Sequence, residues 1–245
     1  MIATQAIPPI VSQALSRTLY GGRLVSAPAP IRVGTPALVQ AARFTTFDYM
    51  APGIFAYAAI FLIMIVAQSF TYERENGLLR RIWVTPTTSS EFMVGQVISN
   101  MAVALVQVAL VFLGAFLVGY RPFVNAAGLA FSFVVVSVFS LCCVGFGLIT
   151  ATLARSSGAA TGISFLFIMP QMLLGTFVPT GASSVTKTAA MFVPSHYVTD
   201  ALTSLLLRGA PVTSPAIMLD TAVVSIFSVG VLLAGILLFG RYGKA

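Results

Sequence analysis

Charge is what this chain has least of. Only 8% of its 245 residues carry one, thirteen basic and six acidic, whereas soluble domains run near ~25%. So few charges cannot coat a water-facing globule of this length, which excludes a soluble domain. Cysteine is nearly absent, and Cys142 and Cys143 are adjacent within an apolar run. Neighbours on a helix point about 100° apart and a disulfide between them would be strained. The pair therefore fits neither a disulfide framework nor a zinc site and reads as small packing residues. The net charge of +7 comes with no basic run, which argues against nucleic acid as a partner and for membrane topology. No G-x-x-x-x-G-K-[ST] loop is present, so the chain lacks the usual nucleotide cradle. Asp48 and Asp220 lie at span ends and Asp200 lies outside the spans. An ion-coupled carrier would want a carboxylate in mid-span. Ser195, His196 and Asp200 are local neighbours without a nucleophile elbow, which leaves no catalytic residues, and the lone His196 suggests no metal site.

What is present is apolar length. The hydrophobic fraction is 58% and the mean hydropathy +0.99. A crossing needs ~20 mostly apolar residues. Five segments qualify: 49–70, 92–118, 126–153, 159–178 and 219–239, none with Lys, Arg or Glu in its middle. Each is too long for a strand. The expected fold is all-α, a polytopic transmembrane bundle of about five spans, with residues 48–245 as the membrane domain.

The positive-inside tendency sets the orientation. Arg74, Arg80, Arg81, Arg155, Arg241 and Lys244 fall on one side of an alternating bundle, and Arg121, Lys187 and Arg208 on the other. The 71–91 loop and the C-terminus are therefore expected to be cytoplasmic. Residues 1–47 then lie outside with Arg17, Arg23, Arg32 and Arg43, interrupted by Pro8, Pro9, Pro28, Pro30 and Pro36, and hold no secretory signal. They read as the remnant of an extracytoplasmic domain or tail, with an earlier helix missing from this chain.

Small residues interrupt the spans, and Gly158 with Gly162 forms a G-x-x-x-G pair whose plainest reading is helix packing. Pro170 sits in mid-span and should kink that helix. Between Pro194 and Arg208, Tyr197, Ala201 and Leu205 make a stripe beside Val198, Leu202 and Leu206. This segment, within the external stretch 179–218, is too short to cross and reads as an interfacial or re-entrant helix.

The loop from Thr71 to Glu91 carries the most information. Leu78, Leu79, Ile82 and Trp83 share one helical face and Arg80 and Arg81 the other. Asn76-Gly77 breaks the chain before this helix, and Pro86 ends it. Thr88-x-x-Glu91 is a capping box that opens the next helix. Physics leaves two readings open: an interfacial helix with no partner, or a coupling helix that docks on a cytoplasmic motor.

The run Glu73-Arg74-Glu75-x-Gly77-x-Leu79, then Thr85-Pro86, Ser90-Glu91 and Gly95, resembles the signature of ABC-2 type transporter permeases, of the drug-exporter-like branch. Leu78 stands where that pattern has Thr, Ile82 or Trp83 covers its later apolar site, and Gly95-Gln96 replaces its Gly-Lys pair. The likeness runs over about 48–240, through the Arg155 loop, Pro170 and Pro194-x-x-Tyr197. It implies six spans per permease, of which this chain would lack the first, and a dimer with a second permease copy, alike or different, in a bacterial inner membrane. It also implies a separate ABC ATPase subunit that binds ATP and magnesium, leaving this chain a transport subunit with no cofactor and no ATPase site. Coupling to the ATPase would fall on Glu73, Arg74, Glu75, Gly77, Leu78, Ile82, Trp83, Thr85 and Pro86. The charged trio would make polar contacts or orient the loop. Phe, Met and Leu on the pathway surfaces suit a lipophilic or amphipathic, drug-like substrate moving outward. An ion-coupled secondary carrier and a non-transporting membrane scaffold are the rival classes.

Overall fold

The computed structural model describes residues 46–77, 89–122, 124–177 and 184–242. The segment set apart at 1–47 lies outside them except for its last two residues. Among the described residues all regular structure is helical. Helix α1 is Thr46–Ile60, α2 Leu62–Glu75, α3 Ser89–Val118, α4 Ala126–Leu153 and α5 Ser157–Met172. A π-helical turn, Leu173–Phe177, follows, then α6 Ser184–Ala190, α7 Pro194–Leu206 and α8 Pro215–Tyr242. Among the described residues, five helical stretches are long and apolar enough to span a bilayer: Phe47–Glu75, Val94–Val118, Ala126–Leu153, Ser157–Thr176 and Pro215–Phe239. The fold is thus an all-α transmembrane bundle, as the hydropathy pattern anticipates.

Helices gain little by hiding apolar surface from equally apolar lipid, so packing geometry decides which of them meet. Helix α4 is the centre. Cys142, Cys143, Val144, Gly145, Gly147 and Leu148 are all buried, too continuous a run for a helix with a free face. Gly145 and Gly147 are two residues, about 200°, apart and notch opposite sides. A Cβ on Gly145 would lie 2.7 Å from the Leu232 backbone nitrogen, and one on Gly235 2.7 Å from the Gly145 carbonyl oxygen, so α8 crosses backbone to backbone. A Cβ on Gly147 would lie 2.7 Å from Val66 Cβ and 3.0 Å from the Ile63 carbonyl oxygen, which seats α2. Ser228 Oγ lies 2.8 Å from the carbonyl oxygens of Val224 on its own helix and Val138 on α4, bridging the same pair of helices. Other span hydroxyls, such as Ser140, Thr150 and Ser164, donate to the carbonyl four residues back, because no water is there to receive them.

The periphery behaves differently. On α3, Ile98, Val106, Leu110 and Leu117 are at least 60% exposed, an apolar outer face that only lipid or another protein suits. Gly158 and Gly162, expected to pack, have nothing within 4 Å of a would-be Cβ. Within this chain that pair lies on an open face, and the helix contacts expected of it are made by Gly145 and Gly147.

For the 194–208 segment, expected to be interfacial or re-entrant, burial speaks against the first alternative only: helix α7 is short of a crossing, and Val198, Ala201, Leu202, Leu205 and Leu206 are at most 1% exposed, within the main core with α1 and α4. Its Pro194 sits in the first turn, where a missing N–H costs nothing. At Pro170 the helix loses one donor, and three residues later its pitch widens into the π-helical turn. Ser195 Oγ of α7 donates to the Gln171 carbonyl oxygen at 2.8 Å.

Substituting Gly145 by Ala should cost about 1–3 kcal/mol by overpacking, read as a lower melting temperature of the detergent-purified chain. Gly158→Ala, facing open space, should leave that temperature unchanged. Equal effects of the two substitutions would contradict the notch.

Candidate functional site

The site begins where α2 ends. Span one was expected to stop near Phe70, but its helix continues to Glu75, so Glu73, Arg74 and Glu75 form its last turn rather than part of the loop. Charge ends an apolar run without breaking a helix. The break is Asn76-Gly77. Gly77 has φ +68°, the left-handed conformation that closes helices and suits glycine. Its N–H donates to the Arg74 carbonyl oxygen at 3.1 Å and that of Asn76 to Tyr72 at 3.0 Å, while Asn76 Nδ2 also donates to the Tyr72 carbonyl oxygen at 2.9 Å.

Three consecutive helical residues point in three directions about 100° apart, and here each reaches a different helix. Glu73 Oε1 accepts from Gln96 Nε2 on α3 at 2.7 Å. Arg74 Nη2 donates to the carbonyl oxygen of Ala154, which caps the end of α4, where the partial negative charge of a helix favours a cation. Glu75 Oε1 accepts from the Ser157 backbone N–H at 3.3 Å, at the first residue of α5, where the helix favours an anion. Ser156 Oγ accepts from Ala159 N–H in that same turn at 3.2 Å, so the start of α5 is held twice. One helical turn thus ties span one to spans two, three and four. Glu73 Oε2 is buried with no partner among the described residues.

Gly77 stands at the helix stop. Leu78, Ile82, Trp83, Thr85 and Pro86 lie outside the described residues, as does Thr88 of the capping box; α3 begins at the next residue, Ser89. Gln96 figured in the sequence only as a departure from a Gly-Lys pair, yet it is the partner of Glu73. Ala154 and Ser157 could not be named beforehand, because they contribute backbone atoms, which any residue supplies.

A second feature lies between α2 and α5. Ile65, Gln68, Ser69, Tyr72, Gly158 and Thr161 line a groove of about 560 Å³. Gln68 Nε2 donates to Thr161 Oγ1 at 2.7 Å across it. This polar bond within two spans borders the open Gly158 and Gly162 face.

Comparison with known proteins completes the picture. The family model described as ABC-2 family transporter protein matches residues 3–240. Among characterised sequences, a protein described as a probable multidrug ABC transporter permease, YbhR, of Escherichia coli (strain K12) is 30% identical over 131 residues, 53% of this chain and 35% of the relative. Its counterpart in Escherichia coli O157:H7 matches over the same length with the same identity. The matched region thus spans about a third of those relatives. With five apolar crossings, a charged turn binding three neighbouring helices and a family match over nearly its whole length, the chain belongs to the ABC-2 transporter family.

Proposed function

We propose that the chain is a permease subunit of an ATP-binding-cassette exporter, driven by a separate ATPase that grips the 73–86 region at the cytoplasmic face of a bacterial inner membrane. The observation that carries this is the convergence of Glu73, Arg74 and Glu75 on α3, α4 and α5. A connection merely long enough to join two spans needs no such ties. One that takes a push and passes it on does, because force reaches only elements joined to the point of application. Membership of the family supports an ABC ATPase as the partner, and the relatives described as multidrug permeases support a lipophilic or amphipathic cargo. ATP closure of the ATPase pair would shift the α2 terminus and bias the bundle between two arrangements.

The working unit in this proposal holds two permeases. The groove between α2 and α5 has a polar bond and an open small-residue face, which suits close approach of a second copy and a pathway between the two.

Three outcomes follow from this assignment. Deleting Leu78–Trp83 should abolish co-purification with the ATPase subunit; undiminished capture would remove the coupling role. Glu75→Gln should keep ATPase binding and hydrolysis while export falls about two- to fivefold, the factor matching ~0.3–1 kcal/mol of lost charge–helix interaction; export equal to that of the unaltered chain would show that the tie to α5 carries no force. Gly158→Cys should form a disulfide-linked dimer on mild oxidation in membranes, since Cys142 and Cys143 are fully buried. A strictly monomeric product would exclude this face as the contact.

A further inference from the structure

We infer that the cavity beside Arg74 and Arg155 is a binding site for the headgroup of an anionic phospholipid from the surrounding bilayer. The cavity measures about 810 Å³ and lies where the ends of α2, α4 and α8 meet. Among the described residues its charged lining is cationic: Arg74 and Arg155 contribute to it and no carboxylate does. Among the described residues neither guanidinium is ion-paired. Arg74 spends one nitrogen on the Ala154 carbonyl oxygen, and a guanidinium has donors to spare. Arg155 is exposed.

The remaining wall is mainly apolar, formed by Ile149, Leu153, Ala154 and Leu238 together with Thr152, whose hydroxyl donates to the Leu148 carbonyl oxygen. Leu153 is 59% and Leu238 38% exposed, so this wall opens sideways. Leu153 ends the third crossing and Leu238 is next to the end of the fifth, at Phe239. The cavity therefore stands at the height where acyl chains give way to headgroups. Guanidinium forks match phosphate oxygens in geometry as well as charge, and basic pockets between transmembrane helices take anionic headgroups. A free phosphate makes no use of the leucine wall, and a zwitterionic headgroup brings a cation of its own toward the two arginines. A lipid phosphate seated here would bridge the ends of α2, α4 and α8, adding a third body to the tie between Arg74 and Ala154. The assignment rests on the membrane-spanning fold and not on the coupling role.

Native mass spectrometry of the detergent-purified full chain, titrated with phosphatidylglycerol or phosphatidylcholine, tests this without an ATPase present. Phosphatidylglycerol should be retained in preference. Arg155→Gln, at an exposed position, should lower its retention about fivefold, the worth of one basic residue at a lipid surface. Arg74→Lys, which keeps the charge, should lower it less than Arg74→Gln does. Leu238→Asn should weaken retention through the apolar wall. Equal retention of the two lipids, retention unchanged in Arg155→Gln, or displacement of phosphatidylglycerol by millimolar inorganic phosphate would each overturn the assignment.

Discussion

The backbone-to-backbone approach of α8 and α2 to the two sides of α4 is the constraint on which the other contacts depend. In water, an apolar stripe would pull helices together over a broad range of distances. In lipid that pull is absent, and helices stay together where their surfaces fit. Gly145 lets α8 come to the α4 backbone, and Gly147 lets α2 come to it from the other side. Gly147 lies about two turns before Ala154 and Gly145 about two and a half. The spacing they set is what brings Arg74 within reach of the α4 carboxyl end and Phe70 to 5.2 Å, ring to ring, from Phe239 of α8. A wider seat for α2 would carry the last turn, and its three ties, away from their partners.

Those ties differ in kind from the packing beneath them. A hydrogen bond between membrane helices averages only about 0.6 kcal/mol, so the trio adds little to the stability of the bundle as a whole. Its value lies in direction. The bonds of Glu73, Arg74 and Glu75 are made at the margin of the apolar region, two of them to helix ends with favourable partial charge. They set the orientation of the α2 terminus relative to α3, α4 and α5 while leaving the packed centre untouched. The centre is joined by close packing at Gly145 and Gly147 and the margin by three directional bonds, an arrangement that suits the proposed coupling.

The sequence makes the crossings legible because hydrocarbon thickness imposes a length that composition reveals directly. The same hydropathy reading ended span one too early. It registers the first charges after Thr71, whereas the helix is stopped by Asn76-Gly77, a conformational signal rather than a solvation one. Of the candidate coupling residues, the charged trio was visible as side chains with a spacing, but its partners were not. Ala154 and Ser157 act through a carbonyl and an N–H, and Gln96 through an amide on a helix whose register relative to α2 depends on packing. The glycines show the converse. Gly158 and Gly162 have the familiar spacing and an open face, while Gly145 and Gly147 have no such spacing and carry the close contacts, because a helix seated between two neighbours needs notches on opposite sides rather than one stripe.

Helix α5 is the element held at both ends. Glu75 grips its first residue, and after Pro170 its far end widens into the π-helical turn, where Ser195 of α7 holds the Gln171 carbonyl oxygen. A Cβ on Gly175 would overlap Ser195, and one on Gly53 of α1 would lie 3.0 Å from Thr176 Cγ2, so that turn is enclosed by α1 and α7. A π-helical turn is rare, changes the pitch of the helix it interrupts and is frequently found at functional sites. Under the proposed coupling, α5 would be the element that carries a displacement of the charged turn to the π-helical turn at its other end. The side chain of Gln171, buried at 3% exposure with neither amide atom partnered among the described residues, lies two residues before the π-helical turn. Glu75 at one end and Ser195 at the other therefore fix both the start and the finish of α5, so the two ends of the bundle are joined through one helix.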